Sequence, residues 1–308
     1  MSGLHNTISG STMNIMRSAP ISAGDLLKKF DPLWIETPLP PAPPDLIPGV
    51  LKRHGTHLIV GERDVGKSLI ALEIASAALT GSALWEKLPV PHPIAKVTYI
   101  LGEHDSESLR ELWALAGLLA PEQSLCVVGP EYRQPLVMQG KSNLPAVQFY
   151  QTIAQGSGLI IFDPLSAFMA GTEAENDNSG MREVINITGD IARPSHAAVL
   201  ILHHMGKPTF NPKTGQYEHP PVYAARGASA IEDAGMGLFY LTKPKPREEY
   251  HLKKGRFKAR NVPSFYLLKR EAYRHTLVAK GLTDQEKAAK AASLNANLAN
   301  SSDDEVSV

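Results

Sequence analysis

The chain has one cysteine, Cys126, in 308 residues. No internal disulfide can form, and its place in the apolar run SLCVVG reads as a buried strand residue rather than a nucleophile. Net charge is lacking too, with Lys+Arg and Asp+Glu at 31 each. The overall charge therefore advertises no polyanion partner, and any nucleic-acid contact has to come from a local basic surface or an assembled channel. No apolar run approaches the roughly 20 residues that cross a bilayer, and the N-terminus lacks a basic segment followed by an apolar one. A cytoplasmic protein without a membrane partner is expected. Internal repeats are also missing. What is present is ordinary for a globular chain, 43% hydrophobic and 20% charged residues, which is enough for a sizeable core.

Residues 1–44 are short of periodic hydrophobics and end in Pro38-Leu39-Pro40-Pro41-Ala42-Pro43-Pro44. Such a run continues neither helix nor central strand, so it reads as a stiff extended linker and a domain boundary. From 45 to 280, β-rich apolar runs at 57–60, 96–102, 124–128, 158–163 and 197–203 alternate with helical patterns at 67–80, 106–119, 145–155 and 180–192. That alternation predicts an α/β fold, a doubly wound and mostly parallel sheet. After 235 the helices stop. GLFYL, EYHLKKGRFKAR and SFYLLKRE predict a C-terminal antiparallel extension at one sheet edge. Residues 281–308 read as a helix and a solvated acidic tail.

The stretch Gly61-Glu62-Arg63-Asp64-Val65-Gly66-Lys67-Ser68 has the form G-x-x-x-x-G-K-[ST]. In a chain this long it arises by chance about one time in a hundred. It follows the apolar strand His57–Val60 and opens a helix, so backbone N–H groups converge on an anion. Lys67 would neutralise the β and γ phosphates of a nucleoside triphosphate, and the Ser68 hydroxyl would ligate Mg²⁺. Leu159-Ile160-Ile161-Phe162-Asp163 is an apolar strand ending in a carboxylate, placing Asp163 as the second metal-site group, with helix capping as the plainer alternative. Val97 to Glu103 is a further strand ending in an acid. Glu103 is the candidate base for an attacking water, and Asp105 reads as the N-cap of 106–119. There is no N-K-x-D guanine motif and no LSGGQ motif, so GTPases and ABC transporters fit poorly.

Over residues 45–270 these elements together resemble the RecA-like ring helicases, the RepA-type plasmid helicases and the ATPase domain of the DnaB type. The resemblance implies a RecA-like P-loop NTPase fold with ATP and Mg²⁺ as cofactors. It implies that the strand AVLILHHMGK carries the γ-phosphate sensor, at His204. A metal role for His203 and His204 is disfavoured, since adjacent strand residues face opposite ways and no further ligand stands at the right spacing. Lys258-Ala259-Arg260-Asn261-Val262-Pro263 is similar to the K-x-R-N-x-P segment whose Lys and Arg reach a neighbour's γ-phosphate. A homo-oligomer, a hexameric ring, is implied by that match. The competing reading is an edge strand protected by its charges. One departure is Met236, near the place where RepA-type proteins carry a further arginine after the segment matched by Arg226.

In such rings the loops after the Asp163 and His204 strands face the channel. The first, 169–180, carries Glu173, Glu175 and Asp177 and is a poor surface for a phosphate backbone. The second, 205–225, sets Lys207 and Lys213 among Phe210, Tyr217 and Tyr223, a mixture suited to backbone charge and base stacking. The sequence-level expectation is a ring-forming DNA helicase working on single-stranded DNA alongside replication or recombination proteins. With neither a primase nor a separate DNA-binding domain in the sequence, a stand-alone helicase of a phage, plasmid or mobile element is expected. The rivals are a non-unwinding RecA-fold ATPase, acting as recombination mediator or regulatory switch, and an assembly protein with a structural nucleotide that docks through 38–44.

Overall fold

A computed structural model describes residues 45–48, 50–138, 141–169, 178–204, 209–211, 216–218, 237–242, 249–257, 265–269 and 273–280. The chain divides into two units, Met1–Ala42 and Pro43–Val308, and everything below concerns the second. The sequence motifs at Lys207, Lys213, Arg226, Met236, Lys258 and Arg260, the acidic residues 173–177, the linker 38–44 and the tail 281–308 lie outside the described residues.

Six strands form a parallel sheet: β1 (Thr56–Gly61), β2 (Val97–Leu101), β3 (Leu125–Val128), β6 (Leu159–Asp163), β7 (Ala198–His204) and β10 (Gly237–Thr242). Their order is β10-β1-β7-β6-β2-β3. Beyond β10 the same sheet continues antiparallel through β11 (Glu249–Phe257), β12 (Phe265–Lys269) and β13 (His275–Lys280). Two short antiparallel pairs stand apart, β4 (Val137–Met138) with β5 (Lys141–Ser142), and β8 (Thr209–Asn211) with β9 (Gln216–Glu218).

Alternation along the strands feeds two cores. Ile59, Leu159, Ile161, Leu200 and Leu202 join the cluster around helix α1 (Lys67–Thr80), whereas Leu58, Val60, Ile160, Phe162, Val199 and Ile201 join the cluster holding α3 (Leu144–Ile153) and α4 (Asn178–Ala192). A sheet covered on both faces has to read as continuous apolar runs, which is why these strands were visible in sequence. Twelve of the fourteen residues of α1 are buried. It is a core helix, and Tyr250, Leu252, Leu267 and Leu277 of the extension pack into its cluster.

Five expectations need correction. GLFYL is not part of the antiparallel extension; β10 pairs parallel with β1 in the register His57↔Gly237 to Gly61↔Leu241. The sequence carries no mark of it, because a strand's direction is set by its crossover. β13 was not anticipated. Helix α2 (Ser106–Leu115) stops four residues short of the predicted 106–119, because Gly117 adopts φ 56° and its N–H closes on Ala114 O. A left-handed glycine ends a helix. The segment 205–225, expected as a loop, contains the β8–β9 pair, with Phe210 opposite Tyr217. Cys126 sits on the edge strand β3 and is half-buried rather than buried.

Candidate functional site

The carboxyl ends of the central strands converge. Gly61 at the end of β1 lies opposite His204 at the end of β7, and Leu101 of β2 lies opposite Asp163 of β6. In an open α/β sheet this edge is where ligands bind. A cavity of about 630 Å³ opens there, lined from the phosphate loop by Arg63, Asp64, Gly66, Lys67 and Ser68, and from the other strand ends by Glu103, Asp163 and His204. Of the predicted loop, Gly61, Glu62 and Val65 support this wall without lining it.

Each loop residue has a local reason. A Cβ on Gly61 would stand 2.6 Å from Leu241 O, so only glycine lets β10 approach. Gly66 takes φ 96° as the N-cap of α1, a conformation that costs an L-residue strain. Val65 is buried in the core. Lys67 folds back over the loop, donating to Gly61 O at 3.0 Å and Glu62 O at 2.6 Å. Burial pulls its pKa down from 10.5 to about 8, against the pull of Asp163 and Asp64.

That shift has a sign and a consequence. The pocket lysine loses its proton near pH 8, whereas a bound triphosphate would hold it charged. Nucleotide binding at pH 8 is therefore expected to take up about half a proton. Affinity should fall as pH rises above 8, and both effects should vanish in Lys67→Met. Calorimetry in buffers of different ionisation enthalpy measures the uptake. For folding the sign is opposite, since protonated Lys67 costs the folded state below pH 8 and the cost is relieved between about 8 and 10.5.

The Ser68 hydroxyl donates to Asp163 Oδ2 at 2.7 Å. A hydroxyl and a carboxylate side by side, both hard oxygen donors, fit a divalent cation such as Mg²⁺. The same Oδ2 accepts from Tyr99 Oη at 2.7 Å. Tyr99 is wholly buried on β2, and burial, followed by the Asp163 charge, drives its pKa well above the usual value, so it remains a donor. Sequence reading missed this residue, because a tyrosine in an apolar strand carries no mark of its partner.

Glu103 is partly exposed, with Oε2 3.6 Å from His204 Nε2 and 3.8 Å from Arg63 Nη2. Burial first, then the Lys67 charge, lowers the His204 pKa against the pull of Glu103. The ring is accordingly neutral at neutral pH. His203, next along the strand, is buried away from the cavity lining. Asp105 caps α2, accepting from Ser108 N at 2.7 Å. The turn carrying Glu103 is held on both sides of Gly102: its N–H donates to Asp163 O at 2.7 Å, and its carbonyl accepts from Arg133 Nη1 at 2.9 Å. A Cβ on Gly102 would lie 2.2 Å from Ala167 Cβ. Gly102→Ala should displace Glu103 and lower the turnover of ATP at least tenfold while leaving ATP affinity within about twofold. Parallel turnover and binding titrations test this. Among the described residues no cluster of three or more His, Cys, Asp or Glu side chains could hold a metal, and no helix is long and apolar enough to cross a membrane.

This geometry has relatives. A family model described as an AAA domain matches residues 26–209, more than half of the chain. Among solved structures, the ATPase domain of G40P superposes with a TM-score of 0.52 at 12% identity, over 75% of this chain and 86% of that one. A KaiC-like protein from the hyperthermophilic archaeon Pyrococcus horikoshii OT3 superposes with a TM-score of 0.50 at 12% identity, over 76% and 94%. At that identity the likeness concerns the fold. The chain belongs to the AAA domain family, and its fold is that of a RecA-like P-loop ATPase domain.

Proposed function

We propose that the chain is an ATP-hydrolysing motor that assembles as a homohexameric ring in the cytoplasm and translocates on single-stranded DNA as a helicase. The convergence of Lys67, Ser68, Asp163, Glu103 and His204 on one cavity carries the hydrolytic part. Lys67 and the loop amides of 61–68 bind the phosphates. Ser68 and Asp163 would hold Mg²⁺, which when bound neutralises charge on the β and γ phosphates. Glu103 takes a proton from the water that attacks the γ-phosphorus, and ADP leaves with the bridging oxygen. Neutral His204, beside Glu103, senses whether the γ-phosphate is present. Lys258 and Arg260 reach the neighbouring subunit's site and stabilise transition-state charge there. Lys207 and Lys213 contact DNA phosphates.

The acid-rich segment Glu173, Glu175 and Asp177 favours a second reading, a RecA-fold ATPase that does not unwind DNA and serves as a recombination mediator or switch. Strand displacement on forked DNA, measured with ATPase rates with and without single-stranded DNA, separates the two. The motor reading expects displacement and stimulated hydrolysis. Hydrolysis indifferent to DNA with no displacement at any concentration would overturn the motor reading.

A further inference from the structure

Helix α1 begins at the phosphate loop and is mostly aliphatic where it is buried, yet beyond the loop lysine it carries one buried charged residue, the acid Glu73, only 6% exposed. Three groups converge on that carboxylate. Its Oε1 accepts from the His275 backbone N–H at 2.6 Å. Its Oε2 accepts from Trp85 Nε1 at 3.0 Å and lies 2.9 Å from His275 Nδ1. The carboxylate as acceptor fixes the imidazole with its proton on Nδ1. These hydrogen bonds are reinforced next door, where Arg274 Nε donates to Ala116 O at 2.6 Å and its Nη2 to Gly117 O, and where Leu277 N donates to Trp85 O at 3.3 Å. The start of strand β13 is thus tied to the flank of α1 and to the carboxyl end of α2.

The imidazole does more than close this network. Its ring meets Tyr250 of β11 edge to face, centroids 4.8 Å apart and planes at 84°. Tyr250 is itself buried and lines the nucleotide cavity, and its ring edge lies 3.6 Å from where a Cβ on Gly66 would stand. Contacts therefore run from Glu73 to His275 and from His275 to Tyr250, which stands in the cavity wall beside Gly66 of the phosphate loop. A buried acid is a poor way to stabilise a fold, because an apolar replacement of similar volume is often as stable or more so. What an apolar side chain cannot do is accept these three donors and fix one orientation of the imidazole.

We propose that Glu73 is a positioning residue for nucleotide binding: it orients His275, which holds Tyr250 as a fixed wall of the pocket against the phosphate loop. This rests on the reading that the cavity takes MgATP. The effect should appear in affinity rather than in the chemical step, since neither Glu73 nor His275 lines the cavity beside Glu103.

The test uses the full chain, a fluorescent ATP analogue with Mg²⁺ for equilibrium binding, and steady-state hydrolysis. Glu73→Gln turns an amide N–H toward a donor. It should weaken binding about tenfold and raise KM in parallel, with little change in kcat. Tyr250→Ala should weaken binding to a similar degree. The double variant should bind no more weakly than the worse single one, because both remove the same wall. His275→Asn, which offers an N–H to Glu73 but no ring to Tyr250, should behave like Tyr250→Ala, and it serves in place of Glu73→Gln if that variant does not fold. Unchanged affinity in Tyr250→Ala, or losses that multiply in the double variant, would overturn the proposal. Lys67→Ala keeps the underlying reading separate: wild-type chain that binds no analogue defeats the nucleotide reading itself, whereas binding lost in Lys67→Ala but kept in the other variants defeats only the role of Glu73.

Discussion

Glu103→Gln is expected to lower ATP turnover by about 10²–10⁴-fold while leaving ATP affinity within a few-fold. The amide keeps the shape of the side chain and loses the basic oxygen. The geometry supports this asymmetry, because Glu103 stands on a turn after β2, partly exposed and beside His204 and Arg63, whereas the phosphate-binding groups belong to a different strand and helix. Removing its charge costs the loop 61–68 only the long, exposed ion pair to Arg63 and leaves the Lys67 and Ser68 contacts in place. Single-turnover hydrolysis together with an equilibrium ATP titration separates the two effects. Loss of binding in step with turnover would mean that Glu103 holds the nucleotide or the loop rather than the water.

Arg260→Ala should be as damaging, lowering turnover by about 10³-fold or more, since an arginine supplied to a phosphoryl-transfer site commonly contributes that much. The distinguishing outcome comes from mixing. A site built from one subunit's Lys67, Asp163 and Glu103 and the next subunit's Arg260 is intact when an Arg260→Ala chain offers its pocket to a Glu103→Gln chain. Two inactive variants mixed in equal amounts before assembly should thus regain activity at about a quarter of their interfaces. No recovery at any ratio would contradict a site shared between subunits.

How far the sequence could be read followed from how local each determinant is. The helix from Lys67 to Thr80 was bounded correctly because its start is a phosphate-loop motif and its end is Gly81, left-handed at φ 73° with its N–H on Ala77 O. The strands β1, β2, β6 and β7 were found within one residue at each end, since burial on both faces writes them as apolar runs. Asp163 and Glu103 were legible as acids closing such runs. Order within the sheet was not. That β7 lies between the phosphate-loop strand and the Asp163 strand, so that His204 meets Glu103, depends on crossovers that no single segment encodes.

Partners at long separation were invisible for the same reason. Tyr99 finds Asp163 sixty-four positions away and Glu73 finds His275 two hundred and two away. In sequence the first is an aromatic in a strand, and the second a lone acid in an apolar helix, with nothing nearby to name its partner. Both are buried polar groups whose partner came with the fold, and a buried polar group with a partner specific to it is where positioning roles are found.

The most direct measurement is an experimental structure of the full chain with Mg²⁺ and a non-hydrolysable ATP analogue. The account predicts the triphosphate on the loop Gly61–Ser68, with Lys67 Nζ transferred from the carbonyls of Gly61 and Glu62 to the phosphates. Ser68 should have turned from Asp163 to the metal, and Glu103 should face the γ-phosphate. An analogue bound away from this loop, or Lys67 still closed on those two carbonyls beneath it, would contradict the account.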